Sequence, residues 1–224
     1  MNRTLAFIHL DYITIKPYLT KKNLLIFAAV ALIMLFSSDS SASAIGILMF
    51  YASIYAGYPF AVGEKSGIDS LYTVLSIERK TVVSGRYLFT LLLNMCFGLL
   101  AYVFSFLASL LLQKEFNSRE SLMVTIVIFL VYSIIQSIQL PIYFKLGYTK
   151  AKFIAYLPFI GLFLLVMGVG SLMKSFKLQK QADYLFAWFS GTPALSAFFV
   201  IALWLIIFGI SYSISLAFYK KRDF

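Results

Sequence analysis

Residues 57–66, GYPFAVGEKS, come closest in this chain to a known catalytic pattern, the phosphate-binding loop of nucleotide hydrolases. That loop needs four residues between its two glycines and a lysine directly after the second glycine, because the backbone amides and the lysine hold the phosphates. Here five residues separate Gly57 from Gly63, and Glu64 occupies the position of the lysine. We therefore expect no nucleotide-binding site in this chain.

Other residue types that commonly carry chemistry are too few to build a site. The chain has one histidine, His9, and one cysteine, Cys96. A lone cysteine cannot form an intramolecular disulfide, and neither residue makes a metal site by itself. We predict no catalytic and no metal-binding residues.

Two sets of polar side chains interrupt long apolar runs. The amide set consists of Asn94, Gln136 and Gln139, and the tyrosine set consists of Tyr51, Tyr55 and Tyr58. The tyrosines recur every three to four residues, which places them on one face of a helix. Hydrogen bonding between helices and packing in a core are the simpler interpretations. The alternative is that both sets line a polar path through the protein.

The elements that carry these residues are membrane helices. Hydrophobic residues make up 61% of the 224 residues and charged residues only 12%, whereas a soluble domain has roughly 25% charged residues. The net charge of +10 could attract nucleic acid, but the basic residues lie in short clusters between apolar runs, which indicates membrane lipid instead. We predict an all-α integral membrane protein, with no nucleic-acid partner and a single transmembrane domain over residues 1–224.

Six apolar runs are long enough, or nearly so, to cross the roughly 30 Å hydrocarbon core of a bilayer. They are Asn23–Ser38, Ala42–Val62, Tyr87–Gln113, Ser121–Ile142, Phe153–Met173 and Pro193–Tyr219. None has an acidic or basic residue in its middle, which argues against a proton relay. Six spans place both termini on one side. The flanks on that side carry 14 of the 19 lysines and arginines and leave 5 on the other, so both termini are predicted to be cytoplasmic.

Two further segments are apolar but too short to span. Residues 1–20 predict a helix in the cytoplasmic interface that ends near Pro17. Its apolar face would carry Leu5, Ile8, Tyr12 and Ile15, with Thr4, Asp11 and Thr14 roughly opposite. Residues 174–194 predict an outer re-entrant or interfacial hairpin before the sixth span.

The densest run of charges and turn residues lies in the cytoplasmic loop of residues 63–80, between the second and third spans. A short amphipathic helix is predicted there, with an apolar side formed by Ile68, Leu71, Tyr72, Val74 and Leu75. Such a helix either rests on lipid headgroups or inserts its apolar side into the groove of a partner protein. Periodicity does not choose between the two.

Residues 64–87, EKSGIDSLYTVLSIERKTVVSGRY, resemble a segment of small bacterial permeases that include the phenol-soluble-modulin exporters. Those relatives often read E-K-x-x-x-D-x-L-Y-x-x-L-P-x-x-R-x-x-I-V-x-x-[KR]-Y. The matching positions here are Glu64, Lys65, Asp69, Leu71, Tyr72, Leu75, Arg79, Val83, Arg86 and Tyr87. Ser76 stands where the family usually has proline, and Val82 where it often has isoleucine. The layout of the whole chain also resembles the membrane subunit of type-2 ABC exporters.

This resemblance implies that residues 63–80 contain a coupling helix, which docks into a separate ABC ATPase subunit. The docking residues it implies are Glu64, Lys65, Ile68, Asp69, Leu71, Tyr72, Val74 and Leu75. ATP and Mg²⁺ would then be bound by the partner ATPase, and this chain would bind no cofactor.

The resemblance also implies a homodimer of permease chains in the bacterial cell membrane, which moves amphipathic or hydrophobic peptides outward. The cargo would be a toxin or an antimicrobial peptide, and the amide and tyrosine sets would line its path. Two alternatives stay open. One is export of a lipid-linked or small hydrophobic compound, and the other is a polytopic membrane protein that transports nothing.

Overall fold

The computed structural model describes residues 3–37, 41–175 and 191–222. Their regular structure is helical throughout, which confirms the all-α prediction. The helices are α1 (Arg3–Ile15), α2 (Lys21–Ser37), α3 (Ala42–Ser66), α4 (Ile68–Val74), α5 (Arg79–Leu111), α6 (Ser118–Leu146), α7 (Tyr148–Ala151), α8 (Leu157–Ser175) and α9 (Pro193–Lys220). Short 3-10 turns at Lys16–Tyr18 and Ile154–Tyr156 precede α2 and α8.

Four of these helices, α3, α5, α6 and α9, are long and apolar enough to cross a membrane. The α1–α2 pair would supply a fifth span if it were counted as one element, although the two helices are bent by 79° at the break. The six-span prediction is thus supported for four helices, and spans formed by α2 and α8 stay predictions. The predicted hairpin at 174–194 falls largely on residues 176–190, which lie outside the described residues.

The first helix ends where the sequence predicts, and one of its sides is buried against the other helices. α1 ends at Ile15, and Pro17 lies in the 3-10 turn that follows. Its buried side chains are Phe7, Asp11 and Ile15, whereas Leu5 and Tyr12 are exposed. Asp11, which the sequence places roughly opposite the apolar face, is thus buried, and a basic partner on α5 accompanies its carboxylate. The location of α1 in the membrane interface stays a prediction.

Contacts between helix ends define what we call the basic end of the bundle: α1, α4, α7 and the last turn of α9. Phe7 of α1 packs edge-on against Tyr72 of α4, with ring centroids 5.2 Å apart. The Arg79 guanidinium at the start of α5 donates a hydrogen bond to the Tyr219 carbonyl of α9, at 3.2 Å. At the opposite end, Lys114 Nζ donates to the Leu35 carbonyl of α2, at 2.8 Å. The N-terminal helix, the α3–α5 connection, α7 and the last turn of α9 therefore lie at the same end of the bundle.

α9 is held to the bundle by hydroxyl groups along one side. The Tyr87 hydroxyl of α5 lies 2.6 Å from Ser211 Oγ and 2.7 Å from Ser215 Oγ. Ser84 Oγ and the Tyr212 hydroxyl lie 2.9 Å apart. Such hydrogen bonds are useful in a membrane because lipid provides no hydrophobic force that brings apolar helices together.

Ser76 explains how α4 ends without the proline that resembling permeases have at this position. Its φ of 52° lies in the left-handed region, and the Ile77 amide donates to the Tyr72 carbonyl at 2.9 Å. This 6→1 bond is a Schellman cap, which is usually formed around glycine. Proline could not adopt this φ, because its ring fixes φ near −65°. A chain with proline here must end its helix differently.

We expect Ser76→Gly to stabilise the protein by about 1 kcal/mol, because glycine carries no steric cost in the left-handed region. The control is Ser66→Gly in the last turn of α3, where a helical φ makes glycine unfavourable by roughly 0.5–1 kcal/mol. Both free energies of unfolding would be measured by denaturant titration in mild detergent. Equal effects of the two substitutions would contradict the strain at Ser76.

Candidate docking surface at the basic end

An exposed apolar face covers the outer side of α4. α3 ends at Ser66, and Gly67 turns the chain sharply into α4 with a φ of 66°. Leu71, Val74 and Leu75 are 50%, 79% and 60% exposed. Leu71 and Val74 lie on this seven-residue helix and Leu75 in the turn after it, and such a concentration of exposed apolar side chains marks a surface that lipid or a partner covers. We call Leu71, Val74 and Leu75 the α4 face.

Tyr72 does not belong to this face. It is only 5% exposed, since its ring packs against Phe7 of α1. The sequence placed it on the same side as Leu71 and Val74, but the tertiary contact with α1 separates it from them. Ile68 is half-buried. The side chain of Asp69, also expected to dock, lies outside the described residues.

A groove of about 610 Å³ runs between α1 and α4 beside the α4 face. Leu10 contributes from α1, and Ile68, Leu71 and Leu75 contribute from α4 and the turn after it. The groove widens the apolar surface from one helix to two. α1, which the sequence assigned to the lipid interface, therefore also borders the candidate docking surface.

Glu64 contacts another part of the chain, and docking through Glu64 or Lys65 stays a prediction. The Glu64 carboxylate accepts a hydrogen bond from the Thr149 amide, 3.0 Å away in α7. Gly147, with a φ of 75°, lets the backbone approach: a Cβ there would lie 2.9 Å from Glu64 Oε2. Glu64 thus ties the end of α3 to α7. Lys65 is exposed in the last turn of α3.

A buried ion pair beneath α4 was missed by sequence reasoning. Arg86 Nε of α5 lies 3.1 Å from Asp11 Oδ1 of α1, and the side chains are 4% and 1% exposed. The guanidinium carbon also lies 4.5 Å from the centre of the Phe60 ring and 5.8 Å from that of Phe7. Arg86 therefore joins α1, α3 and α5 at one point. The available signal was the single acidic residue of the N-terminal helix, which needs a partner if it is buried.

The tyrosine set packs into the core of the bundle. Tyr51 and Tyr55 are 3% and 1% exposed, and their hydroxyls lie 2.6 Å apart. The Tyr55 hydroxyl also approaches the Tyr18 carbonyl within 2.6 Å. Tyr58 is half-buried and stacks on Tyr55. These contacts are the core packing that the sequence offered as the simpler interpretation, and a role in a cargo path stays a prediction.

The amide set connects helices. Asn94 of α5 and Gln136 of α6 exchange two hydrogen bonds, of which the Gln136 Nε2 to Asn94 Oδ1 bond measures 3.1 Å. Gln139 Nε2 donates to the Ala155 carbonyl at 2.8 Å, and Gln139 Oε1 accepts from Ser53 Oγ at 3.3 Å. All three amides are buried. Asn94 and Gln136 satisfy each other, and Gln139 is satisfied by Ser53 and the Ala155 carbonyl, as interhelical hydrogen bonds do in an apolar interior.

A bundle of long apolar helices with basic residues concentrated at one end is the architecture of a multi-pass membrane protein. The family model described as ABC-2 family transporter protein matches residues 6–220, so the chain belongs to that family. Membership makes it a membrane component of a transporter and implies a partnership with an ABC ATPase. No curated protein and no solved structure matches the chain.

Proposed function

We propose that this chain is the permease subunit of an ATP-driven exporter and that its ATPase docks on the α4 face. The observation that carries the proposal is the exposure of Leu71, Val74 and Leu75 at the basic end of the bundle. An apolar helix face that inserts into a groove of a partner is a common mode of recognition. The ATPase partner would bind ATP and Mg²⁺.

The surroundings of α4 support a role in passing on movement. Gly67 joins α4 directly to α3, and only the residues 75–78 separate it from α5. The Tyr72–Phe7 contact joins it to α1, which the Asp11–Arg86 pair fixes to α5. Closure of an ATPase dimer would shift α4, and these connections would carry the shift into the spanning helices as a rigid-body movement.

We assign the basic end to the cytoplasm because of its excess of lysine and arginine. We assign the protein to the bacterial cell membrane because residues 64–87 resemble a segment of small bacterial permeases. Both termini would then be cytoplasmic, which is the side where an ATPase finds ATP. A second copy of the chain completes the proposed assembly, since two ATPase subunits need two docking helices. The mass of the purified complex would test this stoichiometry.

The proposed cargo is an amphipathic or hydrophobic peptide moved outward. Two observations support it: the resemblance of residues 64–87 to peptide exporters, and spans without charged residues in their middles, which suit an apolar cargo. A lipid-linked or small hydrophobic compound fits the second observation equally. Stimulation of ATP hydrolysis by amphipathic peptides, and not by such compounds, would decide between the two.

The docking proposal is tested by Leu71→Asp combined with Val74→Asp. We expect the affinity for the ATPase to fall at least about tenfold, because two carboxylates would enter an apolar groove without partners. The measurement is copurification from host membranes, with the captured chain identified as an ABC ATPase by mass spectrometry. Tyr72 is left intact because its burial would confuse loss of docking with loss of folding.

The matched control is Ser66→Asp, which adds a carboxylate at an exposed position one residue before Gly67 and outside the α4 face. It should retain the ATPase. Loss of the ATPase in the control, or full retention in the double variant, would refute docking through this face.

A further inference from the structure

Three exposed lysines lie at the break between α1 and α2. α1 and α2 are bent by 79°, and Lys16, Lys21 and Lys22 lie within seven residues at the bend. No acidic residue occurs between residues 12 and 38 in the sequence. The nearest acid, Asp11, is engaged by Arg86. The lysines thus form a basic cluster whose counter-charge must come from outside this part of the chain.

The predicted span formed by α2 would place this cluster at the depth of lipid headgroups. α2 has 17 residues and is therefore about 25 Å long, whereas the hydrocarbon core is about 30 Å thick. A helix shorter than the core draws its flanking residues toward the membrane or thins the bilayer around them. Lys21 and Lys22 at its first turn are therefore held near the phosphate groups.

An apolar groove of about 240 Å³ opens beside Lys21, between α2 and α5. Leu24 and Leu100 form part of its walls and are 48% and 56% exposed, while Tyr51 and Phe97 close it toward the core. Lys21 itself lines the groove. A charged mouth and an apolar channel along the helices match the two parts of a phospholipid, a charged headgroup and an acyl chain.

We propose that this bend is a binding site for an anionic phospholipid in the leaflet at the basic end. The headgroup lies among Lys16, Lys21 and Lys22, and one acyl chain lies in the groove between α2 and α5. The bound lipid bridges α2 and α5 and fixes the bend at the membrane surface. This site is independent of the ATPase docking surface, because neither its lysines nor its groove involves α4.

The test is native mass spectrometry of the purified chain in mild detergent with added phosphatidylglycerol or phosphatidylcholine. The wild-type chain should prefer phosphatidylglycerol. A lysine near an anionic lipid surface changes affinity roughly fivefold. The triple variant Lys16→Gln, Lys21→Gln and Lys22→Gln should therefore lose up to about a hundredfold of preference. The matched control removes three lysines from the second cytoplasmic loop, Lys145, Lys150 and Lys152, and should keep the preference.

Two further arms separate the headgroup from the groove. Leu100→Trp fills the groove and leaves all lysines in place, so it should weaken binding of both lipids and keep the preference for phosphatidylglycerol. Glycerol 3-phosphate, which carries a phosphate without acyl chains, should not displace the lipid. Absence of preference in the wild type, equal loss in both triple variants, or displacement by glycerol 3-phosphate would each overturn the proposal. Unaltered lipid binding in Leu100→Trp would do the same.

Discussion

Asp11→Ala should lower the free energy of unfolding by about 3–5 kcal/mol, the largest effect we expect from any single substitution in this chain. The substitution leaves the Arg86 guanidinium buried, 4% exposed, without its carboxylate partner. The two aromatic rings around Arg86 cannot replace that charge, since a cation–π contact contributes only about 0.5–2 kcal/mol. The measurement is denaturant titration of the purified chain in mild detergent.

Two comparisons show whether the burial of the charge, and not the loss of any acidic group, causes this effect. Glu115→Ala removes an exposed carboxylate at the opposite end and should stay within about 0.5 kcal/mol of the wild type. Asp11→Ala combined with Arg86→Met removes both charges and keeps most of the volume, so it should recover most of the lost stability. A small effect of Asp11→Ala, or no recovery in the double variant, would show that the pair contributes little.

Gly85→Ala should destabilise the protein by about 1–3 kcal/mol, although alanine normally favours a helix interior. A Cβ at Gly85 would lie 2.5 Å from Cδ1 of Phe7 and 3.0 Å from its Cγ. The Phe7 ring cannot swing away freely, because Tyr72 packs on it and Arg86 lies above it. Alanine would therefore push α1 away from α5 and weaken the support of α4. Thermal unfolding of the purified chain measures the cost.

Gly98→Ala in the same helix is the matched control. Its Cβ would lie 3.5 Å from Met49 Sδ and 3.6 Å from Thr125 Cγ2, which is ordinary van der Waals contact. This substitution should be neutral or stabilise by roughly 0.5–1 kcal/mol. Phe7→Ala should remove the clash, so the double variant with Gly85→Ala should be as stable as the Phe7→Ala single variant. A Gly85→Ala variant as stable as Gly98→Ala would contradict the close approach of α1.

Much of the fold follows from local patterns in the sequence. The apolar run predicted at 42–62 lies within α3, and the run predicted at 193–219 coincides with α9 almost to the residue. Pro17 stops α1 where a proline should, because it lacks an amide hydrogen and clashes with the preceding turn. Long apolar runs specify helices in lipid, since no other single segment satisfies its own backbone hydrogen bonds there. The runs that form α2 and α8 are marginal as spans, because their 17 and 19 residues are close to the shortest length that crosses a bilayer.

The candidate site was only partly predictable. The sequence placed a short amphipathic helix between the second and third spans, and the structure has α4 at 68–74. Helical periodicity put Tyr72 on the apolar side together with Leu71, but it could not say which apolar residues turn inward. That choice depends on Phe7, which lies 65 positions earlier in the chain.

The sequence by itself determined the helices, their apolar character, the basic flanks and the resemblance of residues 64–87, because each depends on neighbouring residues along the chain. Only the tertiary structure decided which polar groups meet. Asp11 forms an ion pair with Arg86, Glu64 accepts a hydrogen bond from the Thr149 amide, and Asn94 accepts one from Gln136. Each pair joins helices far apart in sequence, and the partner is chosen by the geometry of packing. A buried polar group in an apolar bundle needs a hydrogen-bonding or ionic partner, but local sequence patterns do not identify which residue that partner is.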